Sequence, residues 1–192
     1  MSIEIVVVGG SWGGFDAASR LLADLPTSTP VPIVVALHRS SRSKDGALER
    51  MISQSTRLRV IAVEDKLSLE PGCVYLAPAD YHLLVEDGSL ALSTHEFVHF
   101  ARPSIDVLFE SAAEEYRDGV VGVLLTGSNA DGAAGMLRIK ALGGTTMAQD
   151  PATAARPAMP QAAIDTGAVD VVAPVDGLAA ELALLLGVAA RR

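Results

Sequence analysis

The feature that most constrains this chain is a recurrence of short apolar runs, rich in β-branched residues, each followed by a helical pattern. "IEIVVV" (3–8), "VPIVVAL" (31–37) and "GVVGVLLTG" (119–127) carry almost no polar side chains. A strand with one wet face would alternate apolar and polar residues. Runs like these are buried on both faces, which is the mark of a parallel sheet covered by helices. The intervening segments supply the helices. "GFDAASRLLADLP" places Leu21, Leu22 and Leu25 at helical spacing, with Pro26 beyond its end. "DGALERMISQS", "RPSIDVLFESAAEEYRD", "DGAAGMLRIKALGG", "MPQAAIDTG" and "VDGLAAELALLLGV" read the same way, with Pro103 near the start of the second and Gly143-Gly144 closing the third. "LRVIAV", "TTMAQ" and "AVDVVAP" add strands. From 71 to 94 the character changes: "PGCVYLAP", "YHLLVE" and "LALST" are short strands, the last two joined by the hairpin signal Asp87-Gly88. The expectation is an α/β fold: a doubly wound, mostly parallel sheet with helices on both faces and an antiparallel hairpin insertion, in one domain spanning 1–192.

Bulk properties exclude several classes. At 49% hydrophobic, the 192 residues can bury a substantial core. A net charge of −8, spread along the chain, disfavours a general nucleic-acid binder, which needs clustered Lys and Arg. The single cysteine, Cys73, cannot form an internal disulfide. "MSIEIVVVGG" lacks the basic start and long apolar run of a signal peptide, and no stretch approaches the ~18 apolar residues of a membrane span. A soluble, cytoplasmic protein without membrane insertion is expected.

In an open α/β sheet, sites form beyond the carboxyl ends of the strands. The first strand ends at Gly9-Gly10-Ser11, the second at His38, and the run 119–126 leads into Gly127-Ser128-Asn129-Ala130-Asp131. A serine hydroxyl becomes a useful nucleophile when a base takes its proton, and the base works best when a carboxylate orients it. Ser11, His38 and Asp131 can fill those roles. Gly9-x-Ser11-x-Gly13 also fits the G-x-S-x-G elbow, in which small neighbours allow a sharp turn and the following helix offers N–H donors to an oxyanion. That motif usually occurs in the order Ser, acid, His; here the order is Ser, His, acid.

Rival readings of these segments are weaker. Phe15-Asp16 stand where a Walker loop needs Lys and Ser/Thr, and Ser11 stands where a dinucleotide fingerprint needs Gly. "HEFVH" (95–99) satisfies H-E-x-x-H, which on a helix would let His95 and His99 hold zinc beside Glu96. It follows a strand and runs into Arg102-Pro103, which favours a solvated loop. His82 and Cys73 begin strands and read as structural. Asp65, Asp106 and Asp165 are carboxylates away from buried strand ends. "HRSSRSK" (38–44) is the one dense basic run.

Taken together, "VVVGGSWGG", the strand ending in His38, "PGCVYLAPADYH", "RPSIDVLF", "GVLLTGSNADGAAGM" and "MPQAAI" resemble, in order, the catalytic domain of the CheB family of chemotaxis protein-glutamate methylesterases, without the receiver domain that many members carry. The resemblance implies a serine esterase that hydrolyses γ-glutamyl methyl esters on methylated chemoreceptors, with a possible glutaminase (deamidase) activity. It implies Ser11 as nucleophile, His38 as base and Asp131 as its orienting acid, in the order this family uses. The backbone amides of Trp12 and Ser128 become the expected oxyanion donors. No metal and no organic cofactor is implied. Arg39, Arg42 and Lys44 are expected to attract the acidic helices that carry the esters. Two departures stand out. The family usually has a small hydroxyl residue where Trp12 stands, and its "TGMGNDG" reads "TGSNADG" here. The alternatives are a catalytically altered signalling or scaffold domain, for which Trp12 speaks, and a zinc hydrolase on His95 and His99.

Overall fold

A computed structural model describes residues 2–39 and 46–189. Its strands are β1 (Ile5–Gly10), β2 (Ile33–Leu37), β3 (Arg59–Ala62), β4 (Leu67–Ser68), β5 (Cys73–Leu76), β6 (His82–Glu86), β7 (Ser89–Ser93), β8 (Val120–Leu124), β9 (Thr145–Gln149) and β10 (Val171–Ala173). Its α-helices are α1 (Gly14–Ala23), α2 (Ala47–Ser55), α3 (Ile105–Tyr116), α4 (Ala133–Ala141), α5 (Ala158–Asp165) and α6 (Val175–Leu185). Seven strands form one sheet in the order β10-β9-β8-β1-β2-β5-β3, with every neighbouring pair parallel.

The uninterrupted apolar runs follow from this position. β1, β2 and β8 are buried at every residue because helices cover both faces. Alternate residues then serve different cores. Val6, Val8, Ile33 and Val35 pack against α1 and α6, while Ile5, Val7, Val34 and Ala36 pack against α3 and α4. Chain order reverses at β1, with β2 on one side and β8 on the other. That is the switch point at which an open sheet leaves a crevice beyond its strand ends.

The hairpin insertion is present. β6 and β7 pair antiparallel, and β4 adds to β7. Asp87 and Gly88 both have positive φ, 49° and 69°, as the tight turn requires. β5 joins the large sheet between β2 and β3, so the small sheet is built from β6 and β7 after it and from β4 before it. α3 starts at Ile105, later than the Pro103 start that the sequence suggests, because Ser104 is its N-cap and accepts the Val107 N–H. Among the described residues no helix is long and apolar enough to cross a membrane.

Candidate active site

β1 must give way to α1 within Ser11-Trp12-Gly13. Gly13 makes this possible: its φ is +78°, and a Cβ there would lie 2.8 Å from the Ala155 side chain. Ser11 is pinned by its backbone, its N–H donating to Thr126 O at 2.9 Å and its carbonyl accepting the Gly14 N–H at 2.8 Å. The Thr126 hydroxyl donates to Trp12 O at 3.0 Å and accepts the Arg156 N–H at 2.8 Å, which ties three loops together beneath the elbow. In the β1–β2 register Gly10 lies opposite Leu37, and His38 N donates to Gly10 O at 3.0 Å. Ser11 and His38 therefore leave neighbouring strands side by side. Among the described residues the Ser11 hydroxyl has no hydrogen-bond partner.

Asp131 comes from the loop after β8 and is fully buried. His38 Nε2 lies 2.6 Å from its Oδ2. The same carboxylate sits on the first turn of α3. It accepts the Ile105 N–H at 2.8 Å, the Asp106 N–H at 3.0 Å and the Ser104 hydroxyl at 2.9 Å. The positive end of a helix stabilises a negative charge placed there. Burial alone would push the Asp131 pKa up, but the His38 ring and the backbone N–H donors outweigh it and hold the carboxyl below the usual carboxylate range.

Asp106 mirrors this arrangement. It leaves α3 to accept the Gly132 N–H at 2.9 Å and the Gly135 N–H at 2.7 Å, at the first turn of α4. Each acid caps the helix at whose start the other stands. Burial pushes the Asp106 carboxyl up to about 6, against the lowering effect of the Gly135 N–H and with the Asp131 charge adding to the rise. His99 Nε2 stands 3.2 Å from its Oδ2. The ligand atoms of His99, Asp106 and Asp131 lie within 4.8 Å of one another. Asp131 already accepts four hydrogen bonds through its two oxygens, which leaves its lone pairs little room for a metal.

A cavity of 580 Å³ opens beside His38, walled by Asp80, Phe97, His99, Phe100 and Asn129 among others. The N–H groups of Trp12 and Ser128 make no hydrogen bond within the described residues, so both remain available as donors. The Trp12 ring is two-thirds exposed and does not wall this cavity. It lies under the Arg156 guanidinium, 5.6 Å from the ring centre.

One expectation changes. Arg39 is not a free attractant: its guanidinium is nearly buried, 3.2 Å from Glu49, so its charge is matched inside the fold. Arg42 and Lys44 fall outside the described residues. "HEFVH" is not helical, so His95 and His99 share no helix face; His95 is exposed while His99 turns to Asp106. His82 is buried with both ring nitrogens engaged, Nε2 with Glu96 O and Nδ1 with the Ser104 N–H. Sequence reasoning missed Ser104 and set Asp106 aside as a carboxylate away from a buried strand end. A Ser directly before an apolar helical run is a legible cap. That the cap also holds a carboxylate 27 positions away is not.

The chain that carries this serine elbow and imidazole–carboxylate pair has relatives of known family. The model of the CheB methylesterase family matches residues 6–182. A Leptospira interrogans protein, provisionally named a protein-glutamate methylesterase/protein-glutamine glutaminase, is 43% identical over 180 residues, covering 93% of each chain. Protein-glutamate methylesterase/protein-glutamine glutaminase 2 of Anaeromyxobacter dehalogenans is 42% identical over 174 residues, 91% of this chain and 51% of that one. The crystal structure of the Thermotoga maritima CheB methylesterase catalytic domain superposes with a TM-score of 0.88 at 32% identity, covering 97% of this chain and 99% of that one. With sequence and fold in agreement over nearly its whole length, the chain belongs to the CheB methylesterase family.

Proposed function

We propose that the protein is a carboxyl-ester hydrolase that removes methyl groups from glutamate γ-methyl esters on chemoreceptors, and that releases ammonia from receptor glutamines by the same chemistry. The observation that carries this reading is the His38–Asp131 hydrogen bond directly beside the Ser11 elbow. Asp131, held ionised by the α3 N-terminus, fixes the His38 ring through Nε2 and stabilises the imidazolium that forms during reaction. Nδ1 then remains as the ring atom to take the serine proton. Ser11 Oγ passes its proton to His38 and attacks the ester carbonyl. The carbonyl oxygen takes up the negative charge and is held by the N–H groups of Trp12 and Ser128, aided by the N-terminus of α1. The C–O bond to methoxide breaks as His38 returns the proton, and methanol leaves. Water, deprotonated by His38, then attacks the acyl-serine and releases the glutamate carboxylate and free Ser11. A glutamine side chain follows the same path, with ammonia as the protonated leaving group.

The substrate is a polypeptide side chain, and methylated receptor supplies it. Methanol release from that substrate tests the reading. Ser11→Ala should lower the rate on the order of 10³-fold or more, and undiminished release would refute the assignment.

A further inference from the structure

"HEFVH" is the motif that the hydrolytic chemistry leaves unused, and the structure gives its end an unusual form. Val98 N donates to Ala101 O at 3.2 Å, and Ala101 N donates back to Val98 O at 2.8 Å. The two residues between them, His99 and Phe100, both have positive φ, 49° and 59°. Glycine and asparagine adopt this backbone readily; a bulky side chain there carries strain on the order of 1 kcal/mol or more. Surrounding contacts hold the turn in place. His99 is clasped to Asp106 at 3.2 Å, and Asp106 in turn abuts the Asp131 network. Arg102 donates to the carbonyls of Thr94 and His95 at 2.9 Å each and to Asp80 at 2.7 Å, and its guanidinium stacks 4.5 Å over the Phe97 ring.

The result is two aromatic rings held out at the mouth of the cavity that His38 enters. Phe100 is 101% exposed and Phe97 58%. Only four phenylalanines occur in the chain, and these two face solvent in the cavity that His38 lines. Apolar groups grouped at a functional cavity mark a contact surface. For a polypeptide ester presented to His38 and Ser11 by its side chain, the rest of the polypeptide would lie across the mouth of this cavity, where these rings are. A small free ester does not extend that far.

We propose that the segment Phe97–Ala101 is a substrate grip: Phe97 and Phe100 contact the polypeptide that bears the ester, and His99 is a positioning residue that fixes the turn through Asp106. This rests on the esterase reading and adds to it a device that separates polypeptide esters from small ones.

The test compares two substrates, a helical synthetic peptide carrying one γ-methyl glutamate and p-nitrophenyl acetate. In the double variant Phe97→Ala/Phe100→Ala, kcat/KM for the peptide should fall roughly 10-fold more than for p-nitrophenyl acetate, the scale of losing an interface hot spot. The loss should reside in KM. His99→Ala should shift the same ratio in the same direction, and His99→Gln, which retains a donor for Asp106, should restore most of it. Circular dichroism melts confirm that the variants fold. An unchanged ratio in the double variant overturns the grip while leaving the esterase reading intact. Hydrolysis of both substrates by Ser11→Ala at the wild-type rate overturns the esterase reading, and the grip falls with it.

Discussion

Asp131 shows how much one side chain does here. It orients His38, holds the Ser104 hydroxyl and caps α3 with a single carboxylate. Asp131→Asn keeps the size but replaces one oxygen with a donor. The amide must then face either the His38 ring or backbone N–H groups, and both placements lose a hydrogen bond. The variant should lose on the order of 10⁴-fold in kcat, as expected when the base is left in the wrong tautomer. A pre-steady-state measurement should show acylation, not release, as the slowed step; wild-type acylation would contradict the role. Asp131 itself was legible as the acid at a strand end. Ser104 was legible only as a helix cap, because its bond to Asp131 joins positions 27 apart.

At the scale of elements, α3 and α4 exchange caps. Asp131 stands before α4 and caps α3, while Asp106 starts α3 and caps α4. The two helices must approach closely for this, and Gly135 allows it: a Cβ there would lie 2.4 Å from Phe109 Cβ and 3.3 Å from Asp106 Cα. Gly135→Ala should cost about 1–3 kcal/mol by overpacking, in spite of the better helix propensity of alanine, and should lower the melting temperature. A neutral or stabilising outcome would show that the contact yields easily.

The same cap exchange gives a pH signature. The Asp106 carboxyl is raised to about 6 by burial. Between about pH 4 and pH 6 the folded protein keeps that proton while the unfolded chain has released it, so this group's contribution to stability declines as pH rises through the window. The lowered Asp131 carboxyl works the other way: its contribution is present above the ordinary carboxylate range and is lost as pH falls toward its folded value. Asp106→Asn retains the acceptor for the Gly132 and Gly135 N–H groups and removes the titration. Urea midpoints at pH 4.5 and 6.5 should therefore differ less in the variant than in the wild type. Equal differences would remove Asp106 from the account.

For the whole molecule, the site hangs from the most deeply buried strands. β1, β2 and β8 lie at the centre of the sheet, and β3 and β10 at its edges, where residues are partly exposed. Native-state hydrogen exchange should find Val7, Val34 and Val123 among the slowest amides and those of β3 and β10 among the fastest. Edge amides exchanging as slowly as the centre would contradict this. Rigid central strands place Ser11, His38 and the loop of Asp131 at fixed spacings, while the wall of the cavity comes from loops free to vary.

Much of this protein follows from the order of its residues alone. Apolar runs without alternation require a sheet covered on both faces, the hairpin follows from Asp87-Gly88, and the elbow follows from small residues around Ser11. These signals are local or periodic, so the chain carries them without reference to its partners. The exchange of caps between α3 and α4, the pairing of Arg39 with Glu49 and the clasp of His99 on Asp106 depend on residues distant in the chain or on how separate elements pack. Only the tertiary structure decides these, because a charge finds its partner through packing geometry that no spacing along the sequence encodes.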